Sequence, residues 1–531
     1  MQKSLVIFRC SLRLLCVILA ALYHYFTFWY GYWKKYGLPV PEGTLPGLGN
    51  MYPVLFMKKS AWPIVGNVHP MIFMRKNMSD MYKDFYNAMR GRSMVGFYNM
   101  KEPALLIRDP ELVKCILSKN FPNFEKNLLE INKDLDPLFA ANAFFAEGEQ
   151  WKTTRQQLSA AFTSGKLKYM YESIDNVCVK LVKYLHKLTE RNGGKIELEM
   201  KELFSRFTAE AVASAAFGVE GGSFESEQDG TFKEMGRRIF EPSLKKGLEQ
   251  FSVMCVPWLS SILRLRFMPL DVDQLFRKII RDVIKHREDK GIQRPDFIQL
   301  MMQLKNSHAV DKIRNEEFND DIITSHATSF FADGYETSSI TLSFLAYQLA
   351  AHPDVQDRLR SEVNAVVAEH GSINYEALQS MPYLDQVMME SMRLTPAFGA
   401  LLKVCTKQIE LVGSDGLSCV IEPGVNIIIP TSAIQQDPEY WPEPHKFDPD
   451  RFTEENKESR HKFVFLPFGG GPRNCPGQRM AMMQMKAAIS TVVQKYKLEV
   501  SPRTKLPIRL DPRYFIMSAA VGGLWINMRK I

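Results

Sequence analysis

One cysteine carries the sharpest chemistry in this sequence. Residues 468–477 read FGGGPRNCPG, with three consecutive glycines and two prolines leading to and around Cys475. That composition forces a tight, non-helical loop, and the apolar helical stretch 480–495 begins where it ends. A helix N-terminus offers unpaired backbone N–H groups and the positive end of the peptide dipole. Both favour a thiolate over a thiol, and Arg473 adds a nearby cation. Gly477 lets a backbone approach closely. A thiolate held this way can be a nucleophile, a metal ligand or a structural accident. As a nucleophile it wants a histidine base, and no histidine stands out as its partner. As an axial ligand it would push electron density onto a haem iron and favour O–O cleavage. The other cysteines, Cys10, Cys16, Cys115, Cys178, Cys255, Cys405 and Cys419, form no CxxC pair and have no histidine at zinc-finger spacing. They read as small buried hydrophobes in a reducing compartment.

A second group lies in the helical stretch Asp320–Ala351, whose centre reads ADGYET at 332–337. An acid beside a threonine suggests a proton path from carboxylate to hydroxyl, here Glu336 to Thr337. Gly334 leaves room beside them and can let the helix open locally. Asp333 is i−4 from Thr337 and i−3 from Glu336, so one face could carry all three. Two neighbouring acids would raise each other's pKa or attract a cation. Asp333 is therefore read as adjusting proton delivery or substrate charge preference, against the plain alternative of a solvated carboxylate. Glu390 and Arg393 are i, i+3, and Trp151 and Arg155 are i, i+4, so each pair shares a helix face.

The elements that must position these residues are mostly helical. Periodicity predicts helices over Asp320–Ala351, 355–369 and 480–495, and short strands over 104–107, 425–430, 514–518 and 524–528. The 531 residues would give three or four domains at ~150 residues each. No linker interrupts the chain after residue 71, so 71–531 reads as one large, mainly α domain with a small β component. Residues 14–33 carry no formal charge and end in Trp29, Tyr30, Tyr32 and Trp33, the pattern of a membrane span closed by interfacial aromatics. Residues 1–33 thus read as a single N-terminal transmembrane anchor, and the positive-inside rule does not orient it. Residues 34–70 read as a stiff Pro/Gly-rich hinge. Pro-x-x-Gly-Asn occurs there twice, 17 residues apart, which reads either as chance or as an extra segment across residues 42–61, real or left in by a gene-model error. Asn77-Met78-Ser79 is a glycosylation sequon. The net charge of +8 is mild. It suits an anionic membrane or an acidic partner and does not call for nucleic acid. Disorder, collagen-like repeats and a polytopic membrane protein are excluded by composition.

Taken together, the motifs resemble the cytochrome P450 family. The loop matches FxxGxRxCxG through Phe468, Gly471, Arg473, Cys475 and Gly477. Glu390 and Arg393 match ExxR, Arg451 and Phe452 match PxRF, and Trp151 and Arg155 match WxxxR, all in the family's order. The stretches AFTSGKL at 161–167 and YETSS at 335–339 are similar to microsomal insect detoxification members. The resemblance implies a P450 fold holding haem b, iron protoporphyrin IX, with Cys475 as the axial ligand of its iron. It implies that Arg451 completes a buried charged triad with Glu390 and Arg393. It implies that Trp151, Arg155 and Arg473 serve the haem propionates. Lys403 stands where the family usually has arginine, and Asp333 where it usually has a small residue.

The resemblance further implies a monooxygenase that inserts one oxygen atom from O2 into a lipophilic small molecule. Electrons would come from NADPH through a flavoprotein, NADPH-cytochrome P450 reductase. The expected setting is the endoplasmic reticulum membrane, in contact with lipid, the catalytic domain on the cytosolic side. Arg460, His461, Lys462, Arg473, Arg479 and Lys486 form the basic set expected to meet the reductase. Two other classes stay open: a haem-thiolate isomerase or dehydratase acting on a peroxide, and a degenerate haem-binding membrane protein.

Overall fold

The computed structural model describes residues 2–28, 31–40, 76–99, 102–225, 230–255, 257–306, 319–514 and 516–531. The doubled Pro-x-x-Gly-Asn turn, Trp29 and Tyr30 lie outside the described residues. Six helices matter below: α1 Gln2–Thr27, α2 Gly148–Ala161, α3 Met200–Val212, α4 Asp320–Ala351, α5 Pro382–Leu394 and α6 Gln478–Lys495. The strands are β1 Met94–Asn99, β2 Glu102–Ile107, β3 Lys126–Asn127, β4 Lys195–Glu199, β5 Leu401–Val404, β6 Ile409–Val412, β7 Ser418–Ile421, β8 Asn426–Ile429, β9 Tyr496–Val500 and β10 Trp525–Lys530. The protein is mainly helical with a minor sheet component, as the periodicity predicts. The chain divides into two compact units, one of residues 1–128 with 400–433 and one of residues 129–399 with 434–531.

The first unit is built on a five-stranded sheet in the order β1-β2-β8-β5-β3. β2 and β8 are parallel, pairing Leu105 with Ile427, and the other neighbours are antiparallel. Both strands are apolar nearly throughout, as expected where both faces are covered. Two expectations change here. Helix α1 ends at Thr27, and Trp33 is fully buried, its indole donating to Phe97 O at 2.8 Å. Tyr32 is buried beside it, so both rings are core residues of this unit and not interfacial aromatics. Among the described residues no helix is long and apolar enough to cross a membrane. Asn77 is also fully buried, and its side chain caps helix Met78–Ala88 by accepting from Ser79 N. A capping carboxamide inside the fold is no glycan acceptor.

Trp33 is seated against Gly96 of β1. A Cβ on Gly96 would come within 2.5 Å of the indole ring. Gly96→Ala is therefore expected to displace Trp33 and destabilise the protein by ~1–3 kcal/mol, the usual range for overpacking. Thermal unfolding and a red-shifted tryptophan emission would report it, and an unchanged melting point would refute it.

The second unit is organised around α4. Asn319 caps this helix by accepting from Asp321 N and Ile322 N, both at 3.1 Å, and Asp320 and Asp321 suit its positive end. The helix stops at Ala351, just before His352-Pro353, because a residue preceding proline avoids helical ψ. It is buried on most of its surface despite many hydroxyls. Thr324, Ser339, Thr341 and Ser343 each return a hydrogen bond to a carbonyl three or four residues earlier, so these polar groups are satisfied within the helix. Phe204, Phe207 and Ala211 of α3, Leu342, Leu345 and Leu349 of α4, and Ile489 and Val493 of α6 form one continuous core. A three-stranded antiparallel sheet, β4-β10-β9, closes this unit. The strand predicted over 514–518 is reduced to an isolated bridge between Phe398 and Met517.

Candidate active site

The cysteine loop is folded by its own backbone. Gly469 and Gly471 adopt φ of +72° and +68°, a region that side chains disfavour. Cys475 N donates to Phe468 O at 2.8 Å and closes the loop. Gly477 caps α6, and its N–H is directed at the Cys475 sulfur. A Cβ on Gly477 would approach that sulfur to 4.0 Å and meet no other protein atom, so this glycine keeps the sulfur's side clear. Burial pushes the Cys475 thiol up to about 11; the Gly477 N–H lowers it, the Asp333 charge raises it, and Arg155 lowers it. The helix terminus expected to favour a thiolate is outweighed by burial. A metal cation bound at the sulfur would reverse that balance and release the proton.

Trp151, Arg155 and Arg473 converge on this loop. Arg155, on α2, donates to Asn474 O at 2.6 Å and to Asn474 Oδ1. Arg473 donates to Ala146 O at 2.7 Å and Ala143 O at 3.1 Å, and its guanidinium lies 4.6 Å from the centre of the Trp151 ring. Lys403 belongs to the first unit, buried on β5, where its ammonium donates to Asn127 Oδ1 at 2.8 Å.

At the centre of α4 the helix is continuous through Gly334. Thr337 Oγ1 donates to Asp333 O at 2.5 Å. The two acids diverge, contrary to the shared face that their spacing allowed. Asp333 accepts from Asn142 Nδ2 at 3.2 Å and 3.0 Å through its two oxygens. The Asn142 carboxamide is oriented by its other end, which accepts from Phe144 N at 2.7 Å. Glu336 instead pairs with Lys201 Nζ at 2.9 Å. Burial pushes Asp333 up to about 6, opposed by Asn142, and burial also raises Glu336, opposed by Lys201. Neither shift is caused by the other acid.

Behind the loop, Arg393 grips Glu390 through two parallel hydrogen bonds at 2.7 Å and 2.8 Å, with both side chains fully buried. Its remaining N–H groups reach Gln435 O, Pro444 O and Lys446 O. Arg451 Nε stands 3.5 Å from Glu390 Oε1, and Asp448 N donates to the same oxygen at 2.9 Å. The three charged residues therefore meet, with Arg393 the close partner and Arg451 the looser one.

The expected basic set is smaller than its sequence suggests. Lys486 is buried on α6 and pairs with Asp385 at 3.0 Å. Arg460 stacks 3.9 Å from the centre of the Trp441 ring and donates to Arg451 O. Lys462 and Arg479 remain exposed. Three site residues escaped the motif reading. Asn474 lies inside the loop and could have been noticed as a side-chain acceptor. Asn142 and Lys201 lie far along the chain from their partners and leave no local signal.

The donor set can be tested against a cofactor. Among the described residues no group of three or more His, Cys, Asp and Glu could hold a bare metal ion. Cys475 offers one sulfur, which suffices for a metal that brings its own equatorial ligands. Arg155 and Arg473 supply cationic forks suited to carboxylates. Asp333 is remote from bulk solvent, yet much of its side chain is not covered by protein. These features fit a flat, anionic macrocycle with a central metal, which is haem. A mainly helical fold with this cysteine loop fits a haem-binding oxidoreductase.

The chain belongs to the cytochrome P450 family, whose model matches residues 57–522. It is 34% identical to cytochrome P450 9e2 of Blattella germanica, over 92% of each chain. It is 34% identical to cytochrome P450 6a2 of Drosophila melanogaster and 33% identical to cytochrome P450 6A1 of Musca domestica, over 97% of each chain in both cases. The family implies haem as cofactor, with O2, a small-molecule substrate and a redox partner. The protein is an oxidoreductase of the monooxygenase type.

Proposed function

We propose that this protein inserts one oxygen atom from O2 into a lipophilic, foreign small molecule, with NADPH electrons delivered by a flavoprotein reductase at a membrane. The observation that carries the reading is the Cys475 loop, with Trp151, Arg155 and Arg473 gathered around it. Bound haem would supply the chemistry of O2 activation. Cys475 would bind the haem metal through its sulfur, which the Cys475 N–H bond to Phe468 O and the Gly477 N–H hold in place. Trp151, Arg155 and Arg473 would orient the propionates, and Lys403 is assigned to them by its position in the family pattern. Glu336 and Thr337 would hold and pass a proton, and Asp333, fixed by Asn142, would adjust that delivery or the charge of substrates accepted. Glu390, Arg393 and Arg451 brace the chain behind the loop.

The remaining assignments follow the same reading. Residues 71–531 would form the haem-binding body together with the buried Tyr32 and Trp33, and α1, ahead of them, would attach it to the endoplasmic reticulum membrane. Exposed Leu14, Val17 and Tyr23 on α1 support that attachment. Lys462 and Arg479 support docking of an acidic reductase on the cytosolic side, where reduction should slow with ionic strength. The likeness to insect relatives supports a detoxifying role. The test is to express the chain in membranes, reduce it and add CO. A strongly red-shifted Soret band is expected, followed by product formation that requires NADPH and reductase. Bound haem without that band would reject thiolate ligation by Cys475, and failure of NADPH and reductase to support any oxygen insertion would reject the monooxygenase reading.

A further inference from the structure

Helix α4 carries four acids, and Asp333 is the one left without a counter-charge. Asp320 pairs with Lys305, Asp321 with Arg277 and Glu336 with Lys201. Asp333 accepts only from Asn142 Nδ2, at 3.2 Å and 3.0 Å, and among the described residues no cation pairs with it. The cations around the site are engaged elsewhere, Arg155 with Asn474 and Arg473 with the carbonyls of Ala143 and Ala146. A carboxylate offers about four acceptor positions, and one amide group does not fill them. The rest of the Asp333 side chain is uncovered although it lies far from bulk solvent. Cys475 is likewise deep and only partly covered, and the Asp333 charge reaches its sulfur. Both residues therefore border one interior cavity, lined by α4 and the cysteine loop.

The carboxylate is held in place and stays charged. Asn142 is buried, and its Oδ1 accepts from Phe144 N at 2.7 Å. Its segment is tied to α4 a second time by Ser325, which donates to Leu138 O at 2.7 Å, and to the cysteine loop by Arg473. Burial pushes Asp333 up to about 6, so most of it is still ionised at pH 7.4. An ionised carboxylate away from water is costly unless a cation meets it. The chain supplies none, which leaves that part to a ligand. A bare metal ion is a poor fit, since among the described residues no group of three or more His, Cys, Asp and Glu could hold one. The surroundings are apolar. Residues 137–146 read PLFAANAFFA, and Phe331, Ala332 and Tyr335 next to Asp333 on α4 are buried. The complementary ligand has one cationic end on a lipophilic body.

We propose that Asp333 is a specificity-determining residue that makes lipophilic amines, bound as their ammonium ions, the preferred substrate class. This class rests on the monooxygenase reading above. The ammonium N–H donates to the Asp333 carboxylate, and Asn142 keeps its own bond and acts as a positioning residue. Neutral molecules of the same shape enter but are held less tightly, and carboxylates are repelled.

The experiment titrates the full-length holoprotein at pH 7.4 with three ligands of one shape, read by the Soret shift and, independently, by equilibrium dialysis. Each carries a terminal phenyl on a four-carbon chain. The ends are a dimethylamino group, an isopropyl group as its carbon isostere, and a carboxylate. A hydrogen bond to a charged group is usually worth about tenfold in affinity or more. The amine-to-isostere affinity ratio should therefore fall about tenfold in Asp333→Asn and Asp333→Ser and stay high in Asp333→Glu. The carboxylate ligand should gain affinity in Asp333→Asn, and the isostere should bind every form alike. An unchanged ratio in Asp333→Asn overturns the proposal, because the amine would then be held by another group. A wild type that binds the carboxylate ligand as tightly as the amine also overturns it, and that result needs no variant to fold. Failure of the monooxygenase reading looks different: NADPH and reductase would support no oxygen insertion, while the affinity ratios would still decide whether Asp333 selects amines.

Discussion

Cys475→Ser is expected to abolish the red-shifted Soret band of the reduced, CO-bound protein and to cut turnover by more than ~100-fold. Changes in groups that merely support a ligand cost ~10–100-fold, and this change removes the ligand atom itself. The fold should survive. The loop is closed by the Cys475 backbone N–H on Phe468 O, which serine keeps, and its bends are set by Gly469 and Gly471. Serine is also close in size, so no large cavity opens. Circular dichroism and unfolding should therefore match the wild type while the spectrum changes. Any thiolate-type CO band in Cys475→Ser would show that the sulfur ligand lies elsewhere. A variant that fails to fold would show that the sulfur is structural.

Arg393→Ala is expected to be the most damaging single change outside the loop, at ~3–5 kcal/mol. That is a large share of the ~5–15 kcal/mol that usually holds a domain folded. Alanine would leave Glu390 buried without its close partner and strip hydrogen bonds from three carbonyls. It would also remove a guanidinium 5.1 Å from the centre of the Trp441 ring. The geometry sets an order that urea unfolding can check. Arg393→Lys keeps the charge but loses the two-pronged grip, so it should fall between wild type and alanine. Arg451→Ala should cost less than Arg393→Ala, because Arg451 stands 3.5 Å from Glu390 and remains partly exposed. Equal losses for Arg393→Ala and Arg451→Ala would contradict the asymmetry seen here.

The parts of this architecture that repeat or punctuate were legible in the sequence. The length of α4 follows from Asn319 at one end and Pro353 at the other, and the cysteine loop from its glycines. Chemistry that depends on contacts between distant segments was not. Glu336 and Lys201 are 135 positions apart, and nothing near either residue marks the other. The two acids of α4 could share a face by spacing, yet Asn142 and Lys201 draw them to different neighbours. Lys486 reads as a surface cation from its type, but α6 turns it inward to Asp385. Tyr32 and Trp33 misled for a related reason. Rings that suit a membrane interface also suit a core, and Gly96 supplies the seat that decides between them.

Burial of Trp33 also fixes a length. Thr27 ends α1 and Trp33 is locked beneath β1, so only five residues form the leash between them. Fully stretched, six residue steps reach ~20 Å. The segment 34–70 begins beyond that lock and adds nothing to the reach. If α1 is embedded in a bilayer, the β1–β2 sheet stays within about one small-domain radius of the lipid, whatever the length of the Pro/Gly-rich segment. The same reasoning sets where the chain can be shortened. A form that discards α1 should start before Gly31, because one starting at Lys34 would pull an indole from the core along with the anchor.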